Sequence, residues 1–91
     1  MTNYDVMTDE RLAVLAQGDH AAYEMLYRRH VTAVYRYCIT RTSTRADAED
    51  VTAQTFLAAL ESIDRYRARG SFLGWLFGIA RHKCADVHRG N

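Results

Sequence analysis

Apolar residues in this chain recur three and four positions apart over four stretches, the period of helices buried on one face. The alternation of half-buried strands is scarce, and proline is absent. The first stretch predicts a helix over about Asp9–Gln17, with Thr8 as N-cap, Asp9 and Glu10 at its positive end and Gly18 to stop it. Leu12, Leu15 and Ala16 form its stripe. A second helix follows Asp19, another N-cap, and runs to about Arg41. Tyr23, Leu26, Tyr27, His30, Val31, Val34 and Cys38 share one face of it, and Arg28, Arg29 and Arg36 lie on the other. After the Thr42-Ser43-Thr44 break, a third helix spans about Ala46–Ile63. Its inward stripe is Ala48, Val51, Thr52, Thr55, Phe56, Ala59 and Ile63, and acids crowd its first turns. The fourth starts at Ser71, an N-cap after Gly70, and runs to about His88. Phe72, Trp75, Leu76, Ile79, Ala80 and Val87 form its core stripe, widened by Leu73 and Phe77.

Four such helices predict an all-α fold, a compact four-helix bundle. With 91 residues and no linker or repeat, residues 1–91 read as a single domain. No apolar run approaches the ~18–20 residues a membrane span needs, so no membrane insertion is expected. The acidic and polar N-terminus lacks a signal-peptide pattern, which makes the expected localisation cytoplasmic. Cys38 and Cys84 lack metal-type spacing and fall on apolar faces, as buried reduced thiols would.

Charge divides the chain. Residues 1–64 hold six Lys/Arg against ten Asp/Glu, and residues 65–91 hold six against one. The net charge of +1 therefore conceals an acidic body and a basic end, either a solvated-surface fluctuation or two faces for two partners. The basic end is also aromatic: a loop from Asp64 to Gly70 enters a helix with Arg81, His82, Lys83 and Arg89 toward its far end. Phosphates attract Lys and Arg, and unstacked bases attract aromatic faces. Gly74 and Gly78, four apart, open a strip that continues into Arg81, His82, Ala85 and Arg89. A mid-helix glycine costs about 1 kcal/mol against Ala, so two on one face indicate close approach by another helix or by nucleic acid.

Catalysis finds little support. No Gly-rich phosphate loop, Gly-x-Ser-x-Gly or His-Glu-x-x-His occurs, and no cofactor is expected. His82, Cys84 and His88 lack a fourth ligand, so no metal site is expected. His30 reads as a satisfied core histidine.

Asp47-Ala48-Glu49-Asp50-Val51-Thr52-Ala53-Gln54-Thr55-Phe56-Leu57, then Tyr66-Arg67, then Gly70 through Arg81 resemble region 2 of the extracytoplasmic-function (ECF) class of bacterial RNA polymerase sigma factors. Gly18-Asp19, Ala22-Tyr23 and Leu26-Tyr27 are similar to the opening motif of that class. The resemblance covers about Asp9–Arg89 and implies a non-catalytic transcription initiation factor. In the family, the third helix docks on the β′ clamp helices of the polymerase core, which implies a polymerase-binding set of Asp47, Asp50, Gln54, Thr55, Leu57 and Glu61. The loop and the fourth helix recognise the melted non-template strand of the minus-ten promoter element. That implies a DNA-binding set of Tyr66, Arg67, Ala68, Arg69, Gly70, Ser71, Trp75, Arg81, His82, Lys83 and Arg89. Trp75 sits on the core stripe as well, so core packing and base contact both stand.

Three departures from the family pattern matter. Ala53-Gln54 replaces a Gln/Glu-type pair and removes an acid from the clamp face. His82 replaces a frequent Asn, which leaves base preference open and introduces an imidazole of unperturbed pKa ~6.5. The chain ends at Asn91, where full members continue into region 4, so an isolated domain of a longer protein is expected. Two other readings stand beside the leading one. One is a module sequestered by an anti-sigma protein, with Leu57, Leu73 and Phe77 as exposed anchors. The other is a generic helical protein that binds double-stranded DNA.

Overall fold

A computed structural model describes residues 3–90, with the side chains of residues 88 and 90 outside the description. A 3-10 turn, Tyr4–Val6, precedes helix α1 (Asp9–Leu15), α2 (His20–Ile39) and α3 (Arg45–Ser62). A second 3-10 turn, Ile63–Arg65, leads through an irregular loop to α4 (Phe72–Gly90). The described residues contain no strand, and the all-helical expectation is met. The 3-10 turn at Tyr4–Val6 lies ahead of every predicted element.

Each helix starts where a side chain can accept an amide with no intrahelical acceptor. Thr8 Oγ1 accepts from Arg11 N at 3.1 Å and Asp19 Oδ1 from Ala21 N at 3.0 Å. Thr44 Oγ1 accepts from Asp47 N at 3.0 Å and Ser71 Oγ from Gly74 N at 2.7 Å. Thr44 gives α3 one more turn-opening residue than the predicted start at Ala46.

Helix α3 packs against both α2 and α4, and α1 lies across α2 and α4. The domain measures 46 × 21 × 19 Å, longer than the roughly 30 Å that its longest helix, α2, spans at 1.5 Å per residue. One core joins all four helices, with Leu12, Leu26, Val34, Val51, Phe72 and Leu76 among its fully enclosed side chains. The threonines inside it spend their hydroxyls locally: Thr52 on Ala48 O at 2.7 Å and Thr55 on Val51 O at 2.8 Å.

A few polar contacts tie the helices together. Tyr23 donates its hydroxyl to Phe56 O at 2.5 Å, joining α2 to α3. Burial of that phenol pushes its pKa well above the ordinary tyrosine value. Asp9 accepts from Arg29 at 3.0 Å and meets His30 Nε2 at 2.8 Å, joining α1 to α2. The predicted core histidine is therefore satisfied by a carboxylate. Tyr4 donates to Asp19, and this bond holds the Asp19 carboxyl below its ordinary pKa.

Candidate nucleic-acid interface

The loop after α3 divides into an anchored start and an exposed run. Tyr66 ends the 3-10 turn and is only 4% exposed, so its side chain belongs to the core rather than to a nucleic-acid surface. This corrects its place in the predicted DNA-binding set, because the apolar ring gains more from Phe72 and Trp75 than from water. Its ring meets Phe72 edge-on at 5.7 Å and Trp75 at 5.4 Å between centroids. Its hydroxyl is buried without a hydrogen-bond partner, the one such side-chain atom among the described residues. Burial raises the phenol pKa, and the charges of Glu10 and Asp9 raise it further.

Arg67, Ala68, Arg69, Gly70 and Ser71 are exposed. Arg67 Nη1 turns back to donate to Asp64 O at 3.0 Å. Gly70 has φ +75°, a left-handed conformation that L side chains adopt only with strain, and it turns the loop into the Ser71 cap. The run therefore places two exposed arginines in the loop that leads into α4.

Helix α4 carries this surface onward. At roughly 100° per residue, Gly74, Gly78, Arg81, His82, Ala85 and Arg89 fall on one side, opposite the core stripe. Arg81, His82, Ala85 and Arg89 are exposed there. A Cβ on Gly78 would meet nothing within 4 Å, and one on Gly74 would meet only Ser71 Oγ, at 3.3 Å. Packing inside the domain therefore does not demand Gly78, and the one close atom at Gly74 is the cap of α4 itself, so of the two explanations for the pair, a neighbouring helix of this chain falls away. Trp75 and Phe77 border the strip and are both half-buried. Trp75 packs on Phe72 at 5.6 Å and keeps part of its surface open, so its core role and its exposure coexist. Phe77 meets Tyr37 of α2 edge-on at 5.3 Å, and Arg41 stacks over that Tyr37 ring at 4.1 Å. Lys83 does not belong to the strip: it lies roughly 140° around the helix from its centre and is half-buried. Arg89 pairs with Asp86 one turn away.

A second surface runs along α3. Asp47, Asp50, Gln54, Leu57 and Glu61 share a sector of roughly 80°. Gln54 Nε2 donates to Asp50 Oδ2 at 2.9 Å, and Leu57 is 59% exposed. Thr55 faces the other way. It is wholly buried with its hydroxyl on Val51 O, so its predicted place in a partner-contacting set is corrected. Leu73 and Phe77, expected as exposed apolar anchors, are half-buried, and Leu73 packs against the core.

A groove of about 420 Å³, not expected from the sequence, opens between α2 and α3, lined by Tyr27, Val31, Tyr35, Glu49 and Ala53 among others. The repeat of Tyr27, Val31 and Tyr35 at four-residue spacing was the available signal. Cys38 and Cys84, far apart in sequence, meet inside the bundle. Burial and the neighbouring Cys38 push the Cys84 thiol up to about 11, and both cysteines are free. The described residues hold no group of three or more His, Cys, Asp or Glu placed for a metal, and the His88 side chain lies outside that description. No helix among them is long and apolar enough to cross a membrane.

Residues 26–91 match the sigma-70 region 2 family model. The chain is 41% identical over 92 residues to the ECF RNA polymerase sigma factor SigD of Mycobacterium tuberculosis, covering 91% of this chain and 43% of that protein. It is 41% identical over 70 residues to the ECF RNA polymerase sigma factor BldN of Streptomyces coelicolor, covering 76% of this chain and 26% of that protein. The chain thus spans less than half the length of these relatives. Among solved structures, CnrH in complex with the cytosolic domain of CnrY superimposes with a TM-score of 0.81 at 32% identity, over 89% of this chain and 53% of that one.

Proposed function

The chain belongs to the sigma-70 region 2 family, in its ECF class, and from that premise we propose that it is the promoter-opening module of a transcription initiation factor. In this reading the α3 stripe of Asp47, Asp50, Gln54, Leu57 and Glu61 docks on the basic β′ clamp helices of RNA polymerase. The loop of Arg67–Ser71 and the open side of α4 take the non-template strand of the minus-ten element. Residues 1–91 act together as one domain. The module works by binding and uses no cofactor.

The observation that carries the DNA half is the strip of α4 itself. Gly78 leaves backbone uncovered where no neighbour within the domain needs the space, and at Gly74 only the Ser71 cap approaches. Arg67, Arg69 and Arg81 are exposed at or near it, and Trp75 and Phe77 border it with partly open rings. A single strand can then lie close to the helix, with its phosphates on guanidinium groups and its bases on aromatic edges. Base–aromatic stacking is worth about 1–3 kcal/mol per base, so a few contacts offset much of the cost of unstacking. Because the strip binds only unpaired bases, it shifts the duplex toward the open form by its difference in affinity between the two.

The test is selection of a single-stranded DNA pool on core polymerase carrying this chain. Enrichment of a short motif, bound more tightly as a single strand than as a duplex, is expected. Replacing Arg67, Arg69 and Arg81 together by Ala should flatten the salt dependence by about two units of slope. No enriched motif, or equal affinity for duplex, would overturn the reading.

A second reading rests on two observations. Leu57 stands exposed among acids beside the α2–α3 groove, and CnrH was solved bound to the cytosolic domain of CnrY. A regulatory anti-sigma partner would cover these surfaces and compete with polymerase. Leu57 and the groove tyrosines replace Leu73 and Phe77 as its anchors.

A further inference from the structure

The N-terminus of α4 is finished by a residue from the opposite end of the chain. Glu10 Oε2 accepts from the Phe72 amide at 2.8 Å, across 62 residues of sequence. Phe72 is the first residue of α4, and its amide has no intrahelical acceptor. Its side chain is 1% exposed, so water is a poor substitute at this point. Ser71 Oγ serves the Gly74 amide, and the first intrahelical bond is Trp75 N to Ser71 O at 3.1 Å. The cap of α4 is therefore split between a local hydroxyl and a distant carboxylate.

The first turn of α1 acts as a hub. Thr8 caps α1 itself, Asp9 is engaged by Arg29 and His30 of α2, and Glu10 reaches α4. Residues 8–15 lie upstream of the segment that matches the family model. Above the hub sits the exposed run of Arg67–Ser71, pinned at one end by the buried Tyr66 and at the other by Phe72. The carboxylate also lies at the positive ends of two helices, where its charge is favoured.

We infer that Glu10 is a positioning residue for the nucleic-acid loop: its carboxylate fixes the start of α4, and hence the shape of Arg67–Ser71, without touching the strand. This inference rests on the proposed DNA reading for its consequence, and on the Glu10–Phe72 bond for its mechanism. Charge alone would act in the opposite direction, since a carboxylate near a basic loop repels phosphate. The two effects separate by substitution. Glu10→Ala removes both the acceptor and the charge, whereas Glu10→Gln removes the charge and keeps a carbonyl acceptor.

The experiment uses the 91-residue chain and its two variants with two readouts. The first is amide hydrogen exchange at Phe72. The second is binding of a fluorescein-labelled single-stranded oligonucleotide carrying the motif selected on the polymerase complex, with clamp-fragment binding as a control. Glu10→Ala should speed Phe72 exchange and weaken oligonucleotide binding about fivefold, the loss of one cap. Glu10→Gln should restore both to within about twofold, and clamp binding should stay unchanged in each variant. Unchanged Phe72 exchange in Glu10→Ala would overturn the brace, as would tighter oligonucleotide binding by that variant or an equal loss of clamp binding. If the parent chain binds no single strand either alone or on core polymerase, the DNA reading fails instead, and Phe72 exchange alone decides whether Glu10 holds the helix start.

Discussion

Replacing Gly78 by Ala should make the protein more stable. A glycine in a helix interior costs about 1 kcal/mol relative to Ala, because its backbone has more freedom to lose on folding. That gain is realised only where the new methyl group fits. At Gly78 the added Cβ meets no atom within 4 Å, so no repacking opposes it. At Gly74 the Cβ would stand 3.3 Å from Ser71 Oγ, which is occupied in capping the Gly74 amide, so the same change there should gain less. For a domain of this size, 1 kcal/mol corresponds to a rise in Tm of about 4–8 °C. Thermal and urea melts followed by far-UV circular dichroism would measure it. In the proposed function the same variant should bind single-stranded DNA less well, because the methyl occupies space reserved for the strand. A Tm for Gly78→Ala equal to or below that of the parent would mean that the added methyl meets an obstacle or that this glycine carries no backbone cost. A stabilised variant with undiminished DNA binding would show that the glycine does not serve the strand.

Three further outcomes follow from particular side chains. Tyr66→Phe removes a buried hydroxyl without a partner and should stabilise the domain by about 1 kcal/mol; a loss of stability in a urea melt would mean that the hydroxyl is satisfied. Thr55→Val should leave clamp binding unchanged because Thr55 is wholly buried, whereas Leu57→Asp should weaken it, with calorimetry to compare the two. Burial raises the Cys84 pKa from 9.0 to about 11, so its contribution is complete below about pH 9 and is lost as pH rises through 11. The unfolded thiol releases its proton first across that window, so stability falls there. Cys84→Ala should lower overall stability yet flatten the fall between pH 9 and 11, as urea midpoints across that range would reveal.

The fold was legible because local signals agreed with one another. Thr8, Asp19 and Ser71 each start a helix as N-cap chemistry requires, and the apolar stripes of α2, α3 and α4 are the faces that meet. The same phase also placed Thr55 inward and Lys83 away from the Gly74–Gly78 strip. Motif matching assigns a position along the chain but not the side of the helix it occupies, and this is how both entered the candidate sets. Tyr66 is a different case. It follows a short turn with no period, and its burial depends on Phe72 and Trp75 closing over it. The groove beside Tyr27, the meeting of Cys38 with Cys84 and the reach of Glu10 to Phe72 all join distant segments. No local pattern encodes such contacts, because each depends on how whole helices are set against one another.

In the proposed function the acidic stripe of α3 docks this domain on RNA polymerase. The most direct test is calorimetric titration of a purified bacterial β′ clamp-helix fragment into the chain, with Asp50→Arg alongside. Asp50 is exposed, and its side-chain bond is the one to Gln54, so reversing its charge should leave the domain folded. Saturable binding by the parent, lost in Asp50→Arg while its circular dichroism is retained, is the predicted result. Absence of binding by the folded parent, or binding that survives the charge reversal, would contradict it.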